Sequence, residues 1–167
     1  MKTLLITLFA VSTLSLTVAA QDSGAPPAIY KPGADITSEL DRAEATSASA
    51  GGWGARVSPG ITVRRRSSAV AQYAIYHPFS IEVYRILEGT GTLVTGGRLE
   101  LPLAESNNPD VVRSEKGIEG GLAREVSPGD VLVLQPGTPH WFSSIDGESI
   151  TYMETRIRIT THPVDFQ

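Results

Sequence analysis

The sequence predicts an all-β fold, either a sandwich or a barrel. From Ile61 onward the chain is a succession of short runs rich in β-branched and aromatic residues, the composition that suits a pleated, half-buried surface. Turn residues separate the runs. Ser127-Pro128-Gly129-Asp130 and Gln135-Pro136-Gly137-Thr138 both place Pro before Gly, the order a type II turn prefers, and Asp146-Gly147 is a hairpin signal. Within Tyr73 to Gly97 side chains alternate inward and outward as strands require.

Taken in order, the chain divides into four parts: residues 1–20 read as a signal peptide, 21–60 as an N-terminal arm with a short helix, 61–160 as the barrel and 161–167 as a tail. Met1-Lys2 gives a positive start, Leu4 to Val18 is apolar, and Val18-Ala19-Ala20 offers the small residues a signal peptidase accepts. Cleavage is expected before Gln21, which makes the protein secreted or periplasmic. The apolar run is shorter and richer in Thr and Ser than a membrane span of about 20 apolar residues, so no membrane attachment is expected after cleavage. Ala25-Pro26-Pro27-Ala28 marks an extended arm. Thr37 or Ser38 is placed to cap a brief helix over Glu39 to Glu44. Trp53 stands alone in a Ser-, Ala- and Gly-rich stretch, as a plug against the outside of the barrel.

The strands expected next are 61–66, 70–77, 81–87, 91–95, 98–103, 123–126, 131–135, 140–144 and 149–159. Between the two halves, Pro102 to Gly121 is polar, Gly-rich and aperiodic, and reads as a long surface loop. The chain contains no cysteine, so a domain of this size must hold together by its core alone in an oxidising compartment. A formal net charge of −4, with Arg64 to Arg66 as the basic cluster, argues against nucleic acid and anionic membrane as partners.

The chemistry-bearing residues fall on shared strand faces. Side chains two apart lie on one side of a strand, which groups Tyr73, Ile75 and His77, then Glu82, Tyr84 and Ile86, then His140 and Phe142. If these faces point inward, His77, Glu82 and His140 converge on one point and can hold a metal. They could equally hydrogen-bond one another in a cavity without metal. Tyr73 and Tyr84 are the candidates for a catalytic proton donor, with packing as the ordinary alternative. Arg64 and Arg66 share a face that either presents guanidinium groups to a substrate carboxylate or is a charged outer sheet face, the commoner arrangement; Arg156 and Arg158 repeat the choice. Trp141 alternates outward from His140 and suits packing or a dimer contact. His162 is a tail residue.

The residues Ile75, His77, Glu82 and Gly89, followed by Gly129-Asp130, Pro136, Gly137 and His140, resemble the two sequence motifs of the cupin superfamily. The resemblance implies a double-stranded β-helix, or jelly-roll, over about Ile61 to Ile159. It implies a divalent transition metal, Fe, Mn, Ni, Cu or Zn, held by His77, Glu82 and His140. Ile75 stands where the family has its first histidine, and Gln135 where it has a motif proline. Two His and one carboxylate still form the facial set that holds Fe(II), and a known zinc arrangement. Resemblance to a family of dioxygenases, isomerases, decarboxylases and lyases implies a small-molecule ligand and leaves the reaction open. A metal-free binder of a sugar or organic acid is the alternative, with a storage protein of the seed-globulin kind third. A homodimer is also implied.

Overall fold

A computed structural model describes residues 26–159; the expected signal peptide, the tail and His162 lie outside them. The elements are α1 (Gly33–Thr46), β1 (Trp53–Ser58), β2 (Ile61–Ser67), β3 (Ala74–Tyr76), β4 (Ser80–Thr95), β5 (Arg98–Leu99), β6 (Val112–Ser114), β7 (Ile118–Glu119), β8 (Leu122–Val126), β9 (Val131–Leu134) and β10 (His140–Arg158). They form the expected jelly-roll barrel.

Two long strands organise it. β4 and β10 run antiparallel along most of their length, from Arg158↔Ser80 to His140↔Thr95. On its other side β4 pairs first with β9, through Glu82 to Arg85, and then with β8, through Gly91 to Thr95. β10 in turn pairs with β2 over Ser149 to Thr155 and touches β3 at His140↔Ile75. The bend between the two halves of each strand lies where the β4–β10 register shifts, between Asp146 and Thr151. Gly89 and Gly91 permit it: a Cβ on either would sit within 2.5 Å of a β10 carbonyl oxygen. Thus 81–87 and 91–95 are one strand rather than two, as are 140–144 and 149–159. Asp146-Gly147 is not a hairpin tip but lies inside β10.

The barrel interior holds Tyr84, Ile86, Leu93, Val126, Leu134, Phe142, Ile150 and Tyr152. Burying each such side chain contributes about 1.5–3 kcal/mol, which is how a chain without disulfides is held together. A second cluster lies outside the sheet, where Leu40 of α1 meets Trp53, Ala55 and Val63, with Ile36 and Ala43 beside it. Ile36, Leu40 and Ala43 fall on one helical face. The helix is longer than expected and begins after Pro32 with no side-chain cap, so the capping role assigned to Thr37 or Ser38 is corrected. Trp53 does cover the outside of the barrel, but from a strand: Trp53–Ser58 pairs with β2, extending the sheet into the stretch read as arm. Its indole Nε1 donates to the Ser47 carbonyl at 2.9 Å.

The segment Pro102 to Gly121 is only partly a loop. It contains β6, which pairs with β3, and β7, which pairs with β5.

Candidate metal centre

Three local features bring the site together. The β9–β10 turn is closed by Thr138 N–H donating to Gln135 O at 3.0 Å, with Gly137 at φ 78°, the left-handed value that glycine takes readily. Gly137 N–H donates to His77 O at 2.9 Å, so the turn before His140 is fastened to the backbone of His77. Asp110 accepts from Phe79 N–H at 2.7 Å and from the Ser80 hydroxyl at 2.5 Å, which fixes the short link between His77 and β4.

His77, Glu82 and His140 are all buried, and one ligand atom from each lies within 4.8 Å of the others. Glu82 Oε1 is 3.5 Å from His77 Nε2, and Oε2 is 3.3 Å from His140 Nε2. Both rings are oriented from behind. His77 Nδ1 meets the carbonyl oxygen of Asp110, and His140 Nδ1–H donates to Thr138 O at 3.0 Å. A ring that donates from Nδ1 to a carbonyl keeps its Nε2 lone pair free, the arrangement that metal-ligating histidines use. The donor set therefore fits a divalent transition metal.

The same atoms also have protein partners. Tyr84 donates its hydroxyl to His140 Nε2 at 3.1 Å. Arg156 Nη2 lies 3.0 Å from His77 Nε2 and 2.8 Å from Glu82 Oε1, and Arg156 Nε donates to the same oxygen at 3.1 Å. Register places this guanidinium, because Arg156 is the β10 partner of Glu82. Arg156 also reaches Glu154 at 3.1 Å, and Glu154 binds Arg64 at 2.6 Å. Two arginines, two carboxylates and two imidazoles thus form one network, buried at its carboxylates and imidazoles.

Burial sets the protonation of these groups. Desolvation pushes the His140 ring down to about 4, and lowers His77 with help from the Arg156 charge. Both imidazoles are neutral at pH 7, as ligation requires. Desolvation raises Glu82 above the usual carboxylate range, while His77 and Arg156 work to lower it. Burial opposes ionisation of Glu154 too, but Arg64 and Arg156 outweigh it and hold that carboxyl low. Tyr84 is pushed well above an ordinary phenol by burial and stays protonated.

Against this cluster lies a cavity of about 130 Å³, lined by Arg64, Arg66, Arg113 and Arg156, by Tyr73 and Tyr84, and by Ile75, His77, Val111 and Glu154. Both tyrosine candidates reach it, Tyr84 bonded to His140 and Tyr73 between two arginines. Arg64 and Arg66 turn into the barrel, which corrects the expectation of a charged outer face. Arg65, between them, pairs outward with Asp41 and Glu44 of α1. Arg156 faces the cavity while Arg158 is exposed. Ile75 lines the wall beside His77 and is the β-partner of His140. Trp141 is half-buried, and its ring lies against Gly117.

The barrel with both motifs meeting at one centre decides the architecture. In fold, this is a jelly-roll barrel. The chain matches no known protein-family profile and no curated protein sequence. Solved structures with a similar outline include a cupin protein from Bacteroides fragilis, at 15% identity and TM-score 0.37 over 63% of this chain and 71% of that one. Another is a Bacillus halodurans protein, at 16% identity and TM-score 0.44 over 85% and 88% of the two chains. A third is the L-ribose isomerase of Cellulomonas parahominis with L-ribose, at 11% identity and TM-score 0.39. It is matched over 64% of this chain, which spans about half of the isomerase, 54%.

Sequence reasoning missed Asp110, Arg113 and Glu154. Glu154 was recoverable, since it shares a strand face with Tyr152 and Arg156. Asp110 and Arg113 lie in an aperiodic stretch and carry no local signal.

Proposed function

We propose that this chain is an exported single-domain cupin that binds a divalent transition metal through His77, Glu82 and His140, and acts on a small organic molecule in the adjoining cavity. One observation carries the reading: three buried ligand atoms converge within 4.8 Å, with both imidazoles oriented by backbone carbonyls. Fe, Mn, Ni, Cu and Zn all accept such a set. The bound metal would supply Lewis-acid polarisation or redox chemistry, as an oxygenase, isomerase or lyase needs.

The chain's own groups provide the rest. The carbonyls of Asp110 and Thr138 hold the rings in place. Tyr84 keeps its proton and stands on the cavity wall, where its hydroxyl can donate a hydrogen bond to a substrate oxygen. Tyr73, also on the wall, is the second candidate for that role. The barrel encloses the site and limits water.

The test is metal content by plasma mass spectrometry on protein purified without chelator or metal-affinity tag, beside a His77→Ala/His140→Ala control. Near-stoichiometric metal in the parent and none in the control is the expected result. A parent that stays empty after reconstitution with each metal overturns the proposal. That outcome favours a second reading, a metal-free small-molecule binder, which one observation supports: Arg156 already supplies a cation to His77 and Glu82. Such a binder ignores chelators yet gains thermal stability from its ligand.

Export and pairing are part of the same proposal. The chain recovered from periplasm or medium should begin at Gln21, and an intact Met1 there would refute cleavage. Light scattering should report a homodimer, and a monomeric mass would remove that element.

A further inference from the structure

The arginines of the cavity are not balanced by carboxylates. Arg64 is paired by Glu154, and Arg156 by Glu82 and Glu154. Among the described residues, neither Arg66 nor Arg113 has a carboxylate within ion-pair distance. Arg66 is buried to 6% exposure, yet its one side-chain hydrogen bond runs from Nε to the neutral Tyr152 hydroxyl at 3.1 Å, and Nη1 has no partner. Arg113 likewise has a buried Nε without a partner. Both guanidinium groups pack on the Tyr73 ring, at 5.3 and 5.4 Å from its centroid.

Nothing in folding alone accounts for this. A buried charge without a counter-ion is among the costliest features a core can hold, and four guanidinium groups around one small cavity repel one another. Stability would favour an apolar residue at position 66, and surface exposure would satisfy position 113. Arginines held unpaired against an aromatic ring at a cavity wall are arranged for an incoming anion. Arg66 sits on β2 and Arg113 on β6, so the pair approaches the cavity from two separate elements.

We propose that Arg66 and Arg113, backed by Tyr73, form an anion subsite that selects a compact carboxylate-bearing substrate and holds it against the metal cluster. This deepens, and rests on, the reading of the cavity as the reaction site. Size and charge restrict the ligand. The space equals that of about four water molecules, which admits a short organic acid and excludes a disaccharide or nucleotide. The surplus of two guanidinium charges suits a dicarboxylate, one carboxylate facing Arg66 and Arg113 and the other end left toward His77, Glu82 and His140. Neutral polyols would leave both arginines unpaired, and a site built for a charged group rejects a ligand lacking it.

The experiment is calorimetric titration and thermal unfolding of the protein with malonate, succinate, inorganic phosphate and ribose, at matched ionic strength, with and without loaded Zn²⁺. Parent protein should bind a dicarboxylate and show a raised midpoint, with little response to ribose. Arg66→Gln and Arg113→Gln should each weaken that binding at least tenfold. Arg113→Lys should recover part of it. Because Arg66 is buried, its variant is judged only if circular dichroism shows it folded; Arg113→Gln, at a less buried position, decides otherwise. Phosphate bound better than either dicarboxylate overturns the carboxylate assignment. Ribose bound as well as succinate, or dicarboxylate affinity unchanged in folded Arg113→Gln, overturns the subsite. Failure of the metal reading is distinct: Zn²⁺ then does not bind, while dicarboxylate binding in chelator persists.

Discussion

Replacing Arg156 by Met tests whether the guanidinium stands in for a metal ion. Glu82 is 2% exposed at its side chain and is held by Arg156 through contacts of 2.8 and 3.1 Å to one oxygen. Removing one partner of a buried pair costs about 3–5 kcal/mol. Arg156 is itself 27% exposed, so solvent already screens the pair and the cost drops to about 2 kcal/mol. The metal-free variant should therefore unfold more easily, with Glu82 drawn toward its protonated form by the burial that already raises it. A divalent ion replaces the missing cation and restores that stability. By the thermodynamic cycle, metal binding gains the same quantity, about 30-fold in affinity at 1.4 kcal/mol per decade. Denaturant unfolding in chelator measures the first effect. Calorimetric titration with Zn²⁺ in buffers of different ionisation heat measures the second, and the proton released from Glu82. A folded variant with unchanged stability, or with weaker metal binding, would refute the reasoning. Arg156 would then be a group that positions Glu82, not a rival of the metal.

Acidification of the metal-free protein should weaken it through His140. Its folded value near 4 lies below the ordinary value of about 6.5, so the unfolded chain takes up the proton first. The stability is complete above pH 6.5 and is lost as pH falls toward 4, amounting to about 3 kcal/mol. Urea unfolding across that range measures it, and His140→Gln should flatten the profile. Asp110→Ala removes the acceptor for Phe79 N–H and Ser80; it should cost about 1–3 kcal/mol and weaken metal binding about 10–100-fold by loosening His77, read by thermal shift and metal titration. Ile75→His returns an imidazole to the wall beside His77 and opposite His140, and should tighten metal binding; an unchanged titration would mean that position 75 cannot reach the ion.

The barrel and the convergence of His77, Glu82 and His140 were legible because both depend on period-two alternation. His77, Glu82 and His140 each occupy an inward strand position, and the Pro-Gly turn before His140 is local chemistry. The joining of 81–87 to 91–95 was not legible, because Gly89 and Gly91 normally end strands and only close approach to β10 makes them bend one. Arg64 and Arg66 were misassigned for a related reason. Charge predicts the outside of a sheet, and only the partners waiting inside, Glu154 and the Tyr152 hydroxyl, reverse it. Asp110 escaped notice because it works from a loop, partly through a backbone carbonyl that any residue carries and partly through a carboxylate whose partners, Phe79 N–H and Ser80, only the fold brings to it.

The cavity touches β2, β3, β4, β6 and β10 at once, five strands of the 8-stranded sheet. An occupant bonded to several of these walls would brace them from inside, much as a keystone locks an arch whose stones carry no mortar. A chain without cysteine has no covalent cross-link to do this. Its resistance to proteases would then depend on the occupant: with the cavity empty the mutually repelling arginines remain, and cleavage should come first near β2 and β6, which carry Arg66 and Arg113.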